Sequence, residues 1–411
     1  MHILYVTPYV PSPIRTRPYN LIRALVGLGH RVTLLTAAST SAEEWDQADI
    51  LREWSVRVEI FPIPLARSLS NSLWALPTRE PLQAVYAYHP AMERRLGELV
   101  REEPFDVVHI EHLRAARLVQ AVRGMPTVYD SVDCISLLFE QAAQEGAQLR
   151  SRLMTALDLA RTRRYEAQLL TRYHQVVVTS QRDKEALERL ARRYLPSEAR
   201  AADITVVTNG VDLAYFRPPP NPKPEARSPT VIFTGKMSYH ANVAAALYFA
   251  REVLPRIWNC NPALRFQIVG KDPPEAVRRL AMDGRIEVTG YVEDLRPYLA
   301  RAAVAVCPAR YAVGIQNKVL EAMAMGTPVV STSAGCAALE AGRGRELLVA
   351  DGAEEMARAI LDILSDPALA ARLSAKGRRY VEAHHSWEAG ALRLAGVYER
   401  ARTDRGQRRA G

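Results

Sequence analysis

The sequence has few cysteines, few lysines and no long apolar run. Its four cysteines are scattered without a C-x-x-C spacing, which predicts reduced core thiols rather than a metal site. They are Cys134, Cys260, Cys307 and Cys336. The longest apolar stretches, residues 304–309 and 322–330, are far shorter than the roughly 20 residues that a membrane helix needs. The sequence therefore predicts no bilayer span.

The N-terminus lacks a basic leader, and its apolar run 3–6 is interrupted by Pro8. We interpret this run as a first strand rather than a signal peptide, and we expect a cytoplasmic protein. Lysine and arginine outnumber aspartate and glutamate by 54 to 45, a net charge of +9, and only six of these cations are lysine. An arginine-favouring genome and anionic partners both explain this balance. No nucleic-acid-binding module is visible.

The 411 residues, 48% of them apolar, suffice for two domains. Short apolar runs alternate with longer amphipathic stretches, the pattern of an α/β fold with parallel sheets. Strands are predicted at 3–7, 31–36, 56–61, 107–110, 127–130, 175–179 and 204–207, and after a break at 230–234, 265–269, 286–289, 304–308 and 328–331.

Five prolines between Pro218 and Pro224 mark the break, because neither a helix nor a central strand tolerates them. We therefore predict a linker at 216–229 between doubly wound Rossmann-like domains at 1–215 and 230–385. A terminal helix at about 386–400 is expected to complete the first domain, followed by a frayed basic tail at 401–411. Ligands should bind in a cleft between the carboxyl ends of the two sheets.

The most informative segment is 314–330, GIQNKVLEAMAMGTPVV. It predicts a helix that follows a strand, begins near Gly314 and ends at Gly326. The N-terminus of such a helix suits a diphosphate. Glu321 is placed to accept hydrogen bonds from the two hydroxyl groups of a ribose. A surface ion pair between Lys318 and Glu321 is the alternative interpretation.

This segment and three others resemble the GT-B retaining glycosyltransferases of family 4, group 1, and in particular the subset associated with exopolysaccharide export. The other three are the first β-α-β unit at 1–36, the junction TNGVDLAYFRP at 208–218, and the glycine-rich loop FTGKMSYHAN at 233–242. Together they cover nearly the whole chain. The resemblance implies sugar transfer from a nucleotide diphosphate sugar to a saccharide or lipid-linked acceptor, with no metal or other cofactor.

The resemblance also assigns donor-binding residues in the second domain. Glu321 corresponds to the ribose-binding glutamate of the family, and Lys236 to its phosphate-binding cation beside Gly235. The first acid of the paired-glutamate motif is replaced by Val313. Contact with the donor sugar is therefore expected from other residues of this segment, with Lys318 as a secondary phosphate contact. They are Gly314, Ile315, Gln316 and Asn317.

Candidate catalytic residues end strands of the first domain. Asp130 stands where the family often has a histidine near the anomeric carbon, and it is expected to stabilise positive charge there or to accept the acceptor's proton. Capping of the following helix is its alternative role. Glu111 or His109 is a candidate general base or acceptor contact. Arg15 and Arg17 replace the paired glycines that usually follow strand one, and are expected to contact phosphate or an anionic acceptor.

Two amphipathic stretches have open interpretations. Leucines at 65, 69, 73 and 76 form one stripe, for which core packing is the commoner role and an interface the rarer one. The basic helix at 150–172 is either an ordinary surface helix or a contact with anionic lipid.

The sequence leaves three functions open. The leading one is a retaining glycosyltransferase for a cell-surface polysaccharide or glycolipid. A non-hydrolysing sugar-nucleotide 2-epimerase and an inactive nucleotide-sugar-binding subunit are the alternatives. The donor base, the donor sugar, the acceptor and the oligomeric state have no readable signature.

Overall fold

A computed structural model of the protein describes residues 1–38, 42–144, 149–218, 228–311, 315–339, 341 and 344–410. The chain divides into two compact units. Unit 1 comprises Met1–Thr208 and Trp387–Gly411, and unit 2 comprises Asn209–Ser386. Among the described helices none has both the length and the apolar character needed to cross a membrane.

Unit 1 contains a parallel sheet with the strand order β3-β2-β1-β4-β5-β6-β7 in its described residues. The strands are rich in valine, isoleucine and leucine and mostly buried, as expected where helices cover both faces of a sheet. They are β1 (His2–Thr7), β2 (Arg31–Ala38), β3 (Arg57–Pro62), β4 (Val107–Glu111), β5 (Thr127–Val132), β6 (Gln175–Val178) and β7 (Asp203–Val206).

Helices connect these strands. They are α1 (Thr16–Gly27), α2 (Ala42–Glu53), α3 (Leu65–Ala75), α4 (Leu82–Tyr86), α5 (Pro90–Glu102), a 3₁₀ helix (Ala116–Val122), α6 (Ile135–Gln144), α7 (Leu149–Arg172) and α8 (Gln181–Tyr194). From Asp158 onward α7 contributes Tyr165, Leu169 and Leu170 to the core of unit 1. This part of the basic helix is therefore a core helix, while the side chains of 149–157 lie outside the described residues.

Unit 2 contains a second parallel sheet, with the order β10-β9-β8-β11-β12-β13. Its strands are β8 (Ser228–Thr234), β9 (Arg265–Val269), β10 (Ile286–Gly290), β11 (Ala302–Cys307), β12 (Val329–Ser331) and β13 (Leu348–Val349). Its helices are α9 (His240–Tyr248), a π-helical turn (Phe249–Val253), α10 (Leu254–Trp258), α11 (Glu275–Arg278), a 3₁₀ helix (Arg279–Met282), α12 (Arg296–Arg301), α13 (Asn317–Ala324), α14 (Ala353–Ser365) and α15 (Pro367–His384). The predicted α/β fold with two Rossmann-like domains is confirmed.

The last helix, α16 (Trp387–Ala410), differs from its prediction. It belongs to unit 1, where Leu394, Val397, Tyr398 and Ala401 are fully buried. The helix does not end near residue 400 but continues through most of the segment that was expected to fray, because apolar residues still pack at Ala401 and Gln175 donates a hydrogen bond to Asp404 (2.6 Å).

The division between the units falls at residues 208 and 209, whereas the sequence suggested a first domain that extends to 215. The predicted linker overlaps 219–227, which lie outside the described residues. At its end, β8 begins at Ser228, two residues before the predicted strand.

Candidate functional site

Two glycines of unit 2 let two loops pass in close contact. Gly235 follows β8 with φ +145°, and Gly270 follows β9 with φ +152°. A Cβ atom on Gly270 would lie 1.9 Å from the Gly235 carbonyl oxygen. A side chain at Gly270 would therefore displace the loop that carries Lys236.

Asn242 and Lys318 join this loop to α13. The Asn242 side chain donates a hydrogen bond to the Lys236 carbonyl (2.9 Å) and accepts one from the Lys318 ammonium (2.7 Å). The Lys318 ammonium also lies 5.1 Å from the centre of the Phe233 ring. Burial lowers the pKa of Lys318, although it stays partly exposed. Lys318 is thus held against the glycine-rich loop at 233–242, called the glycine loop below, and is not in a surface ion pair with Glu321.

Glu321 lies one turn further along α13. Its carboxylate has no hydrogen-bond or ion-pair partner among the described residues, and burial raises its pKa to about 7. Such a carboxylate has its acceptor capacity available for ligand hydroxyl groups.

The start of α13 holds three of the other predicted donor contacts. Asn317 is its first residue, Gln316 occupies the N-cap position without a side-chain cap hydrogen bond, and Ile315 is buried. Gly314 and Val313 lie outside the described residues. Lys236 is exposed, and its ammonium contacts no partner within the part of the chain that the structure describes.

In unit 1, Asp130 forms a buried ion pair with Arg17. The Arg17 guanidinium donates two hydrogen bonds to one Asp130 oxygen (2.9 and 2.7 Å) and another to the Val207 carbonyl (3.0 Å). The other Asp130 oxygen accepts from the backbone of Val132 (3.0 Å), whose φ is +62°. Arg17, which was expected to contact phosphate or an anionic acceptor, is only 4% exposed and directs its guanidinium to Asp130 instead.

Glu111 and His109 on β4 lie beside this ion pair. Glu111 pairs with Asp130 in the sheet register and accepts hydrogen bonds from Tyr5 (2.7 Å) and Tyr9 (3.0 Å). His109 stacks on Tyr5, and its Nδ1 lies 3.0 Å from the Tyr398 hydroxyl of α16. Its Nε2 lies 3.8 Å from Asp130.

The predicted catalytic residues Asp130, Glu111 and His109 are therefore brought together, but each has zero exposure. Burial raises the pKa of Glu111 and the nearby Asp130 carboxylate raises it further, whereas burial lowers the pKa of His109 to about 4. At neutral pH the imidazole is neutral. One ligand atom from each of the three lies within 4.8 Å of the others. Hydrogen bonds from Arg17 and the tyrosines already occupy both carboxylates.

Arg15 lies nearer the surface. Its guanidinium pairs with Glu44 (2.9 Å) and lies 4.5 Å from the centre of the Tyr9 ring.

The N-terminus of α6 is capped by Glu166, and not by Asp130 as the alternative interpretation had it. Glu166 of α7 accepts hydrogen bonds from the backbone N–H groups of Ile135 (2.7 Å) and Ser136 (3.2 Å).

Four side chains of these sites were not predicted from the sequence: Tyr5, Tyr9, Tyr398 and Asn242. The alternation of side chains along a strand could have predicted that Tyr5 lies beside His109, because the two residues pair in the sheet register. No comparable signal exists for Tyr398, because its contact spans 289 positions of sequence. Asn242 lies in the predicted glycine-rich segment, but its bond to Lys318 also depends on the tertiary fold.

Comparisons with known proteins match both units. The family model "Glycosyl transferase 4-like domain" matches residues 14–210, and "Glycosyl transferases group 1" matches residues 228–366. The phosphatidyl-myo-inositol mannosyltransferase of Mycolicibacterium smegmatis is 27% identical over 97% of this chain and 94% of its own. The lipopolysaccharide core mannosyltransferase LpcC of Rhizobium leguminosarum bv. viciae is 28% identical over 60% of this chain and 70% of its own.

Among solved structures, Anabaena HepE in complex with UDP covers 97% of this chain and 100% of its own, with a TM-score of 0.66 and 15% identity. At that identity the likeness concerns the fold, which is the GT-B fold. The comparisons do not favour the epimerase or the inactive-subunit alternative. Since the family matches extend through both units and agree with the resemblance of the donor segment, the chain belongs to the GT-B glycosyltransferases of family 4, group 1.

Proposed function

We propose that the protein is a retaining, metal-independent hexosyltransferase that uses a nucleotide diphosphate sugar. Mannose is the first donor sugar to test, because two proteins with sequences similar to this chain are named mannosyltransferases. The proposed acceptor is a lipid-linked saccharide or a cell-surface polysaccharide, and the proposed site of action is the cytoplasmic face of a membrane. The proposal rests chiefly on α13, which carries the available Glu321 carboxylate one turn after the Lys318 ammonium.

In this reaction the bond between the anomeric carbon and the diphosphate breaks, and its electron pair leaves with the diphosphate. A bond forms to an acceptor hydroxyl, which loses its proton to a base. Negative charge therefore accumulates on the diphosphate in the transition state. Lys236, Lys318 and the N-terminus of α13 are proposed to stabilise that charge without a metal.

Glu321 is proposed to accept hydrogen bonds from the donor ribose. Gln316 and Asn317, with Gly314 and Ile315, are proposed to contact the sugar or the diphosphate. In unit 1, Arg15 is proposed to contact an anionic group of the acceptor. For Asp130, Glu111 and His109 we propose a positioning role, because their zero exposure and shared network fix the ends of β4 and β5.

A thermal-shift panel tests the donor. GDP-mannose, UDP-glucose and ADP-glucose at equal concentration should raise the melting temperature in the order of their affinities, because a ligand that binds only the folded state stabilises it. Stabilisation by one of them identifies the base and sugar. If none stabilises the protein, donor binding in unit 2 is contradicted.

Two lysine variants test the diphosphate contacts. Lys236→Ala should lower kcat more than donor affinity, because its charge acts mainly on the departing diphosphate. Lys318→Ala should also weaken donor binding, since its ammonium is preorganised by Asn242. Lys376→Ala is the matched control, because it removes a lysine of α15 that lies outside the glycine loop. It should change neither kcat nor donor affinity. Wild-type kinetics for both test variants would contradict the assignment.

A further inference from the structure

Helix α3 has its large apolar side chains on the outside. Its buried positions are the small residues Ser68 and Ala75, each 4% exposed. The large residues are exposed: Leu65 (65%), Leu69 (54%), Leu73 (66%) and Trp74 (79%). The sequence favoured core packing for this leucine stripe, and that expectation is wrong. A contiguous apolar surface of this kind marks an interaction site.

The inward face of α3 is held by polar bonds. The Asn71 side chain donates hydrogen bonds to the carbonyls of Val85 (3.1 Å), in the last turn of α4, and Tyr88 (2.8 Å), two residues after that helix. After the helix, the Arg161 guanidinium donates a hydrogen bond to the Leu76 carbonyl (2.7 Å). Rolling the helix to bury its leucines would break the Asn71 bonds. The outward direction of the apolar face is therefore fixed by the structure.

The chain segment that contains α3 carries charge of one sign. Between Glu59 and Glu80 the chain has no acidic residue, and its only charged side chains there are Arg67 and Arg79. Both are exposed, and neither forms an ion pair with any residue that the structure describes. An exposed face of leucine and tryptophan, with arginines on the helix and beside it, is typical of helices that lie in the headgroup region of anionic bilayers. A second copy of the chain fits less well, because two chains of net charge +9 repel each other.

We propose that α3, with Arg67 on its first turn and Arg79 beyond its C-terminus, lies in the surface of an anionic lipid bilayer. Leu65, Leu69, Leu73 and Trp74 insert between the acyl chains, and the two arginines contact lipid phosphates. This proposal rests on the geometry and charge of unit 1 alone. It holds or fails independently of the sugar donor.

Flotation of the full-length protein with lipid vesicles tests the proposal. Wild type should float with vesicles of phosphatidylglycerol and phosphatidylcholine, and more weakly with phosphatidylcholine alone or at high salt. The triple variant Leu69→Gln, Leu73→Gln, Trp74→Gln should lose at least about tenfold in vesicle affinity, because it loses apolar burial. Met282→Gln with Leu392→Gln, which changes exposed apolar residues elsewhere (87% and 59%), is the control and should bind as wild type does.

Tryptophan fluorescence gives a second measurement that does not depend on the triple variant. Brominated phosphatidylglycerol should quench the emission of wild type, and Trp74→Phe should lose most of this quenching while it still floats. Absence of wild-type flotation, or equal flotation of the triple variant, would overturn the proposal. So would a wild-type dimer in sedimentation velocity that the triple variant converts to monomer with unchanged flotation, because the apolar face would then belong to a second copy.

Discussion

At the scale of single residues, the two carboxylates most important to this account have opposite surroundings. The Glu321 carboxylate has no hydrogen-bond or ion-pair partner among the described residues, whereas the Asp130 carboxylate accepts two hydrogen bonds from Arg17. An acid without a partner in a partly buried site keeps its acceptor capacity for a ligand. An acid paired inside the protein mainly stabilises the fold. This difference separates the donor-binding proposal for Glu321 from the positioning role of Asp130.

The raised pKa of Glu321, about 7, predicts that donor binding depends on pH. Ribose hydroxyls donate to the ionised carboxylate and lower its pKa in the complex. Nucleotide-sugar affinity should therefore increase as pH rises towards 7 and level off above it, with proton release upon binding. Glu321→Gln removes the titration, so its affinity should be flat with pH and about tenfold weaker at neutral pH.

Calorimetry in buffers of different ionisation enthalpy measures both effects. Glu354→Gln, a change of an exposed glutamate on α14, is the control and should retain the wild-type profile. An unaltered pH profile in Glu321→Gln would exclude this carboxylate as the donor contact.

The Arg17–Asp130 pair predicts that Asp130→Asn is destabilising. The variant leaves the Arg17 charge buried without its counter-ion, which costs about 3 kcal/mol of unfolding free energy. Adding Arg17→Met removes the unpaired charge and should restore most of the stability. Urea denaturation of both variants measures this recovery.

Transfer activity of the double variant distinguishes the roles of Asp130. Activity near that of wild type at a temperature where the double variant is folded agrees with a positioning role. A folded, donor-binding double variant without transfer would show instead that the carboxylate itself takes part in the chemistry.

At the scale of elements, the N-terminus of α6 is stabilised from another helix. Glu166 of α7 accepts hydrogen bonds from two backbone N–H groups at the start of α6 and is almost fully buried. Burial raises its pKa to about 7 from an ordinary value of 4.5. The folded state therefore binds more protons than the unfolded state between these two pH values, so the free energy of unfolding falls as pH rises through this window.

Glu166→Gln should remove this contribution. Relative to the variant, wild type should lose on the order of 2 kcal/mol of stability between pH 4.5 and pH 7.5. Other buried acids, such as Asp133, titrate in both proteins and cancel in the difference. Parallel stability profiles for the two proteins would show that Glu166 does not titrate in this range.

The strands and α13 could be predicted from the sequence, because apolar runs and the motif at 314–330 are features of neighbouring residues. Each predicted strand is found within two residues of its expected ends, since continuous apolar runs identify strands that are buried on both faces. Within the described ranges, the short β13 is the one strand that the sequence did not predict. The direction of the α3 stripe could not be predicted, because periodicity shows that one face is apolar but not which face meets the core. The Arg17–Asp130 pair, 113 positions apart, also depends on the fold.

At the scale of the whole molecule, the two units are proposed to have different tasks. Unit 2 carries the glycine loop, Lys318 and Glu321, which suit a nucleotide diphosphate. Unit 1 carries the buried Arg17–Asp130 ion pair and the exposed apolar face of α3. The family assignment covers both units, and the retaining transfer of a sugar to a membrane-associated acceptor is the proposal that unites them.

The anomeric configuration of the product shows whether the protein is a retaining glycosyltransferase. The purified protein would be incubated with the donor selected by the thermal-shift panel and a lipid-linked saccharide extract, and the new glycoside examined by NMR. We expect a glycoside with the same anomeric configuration as the donor, formed at least about tenfold more slowly by Glu321→Gln. An inverted glycoside, or a released or epimerised sugar with no glycoside, would contradict it.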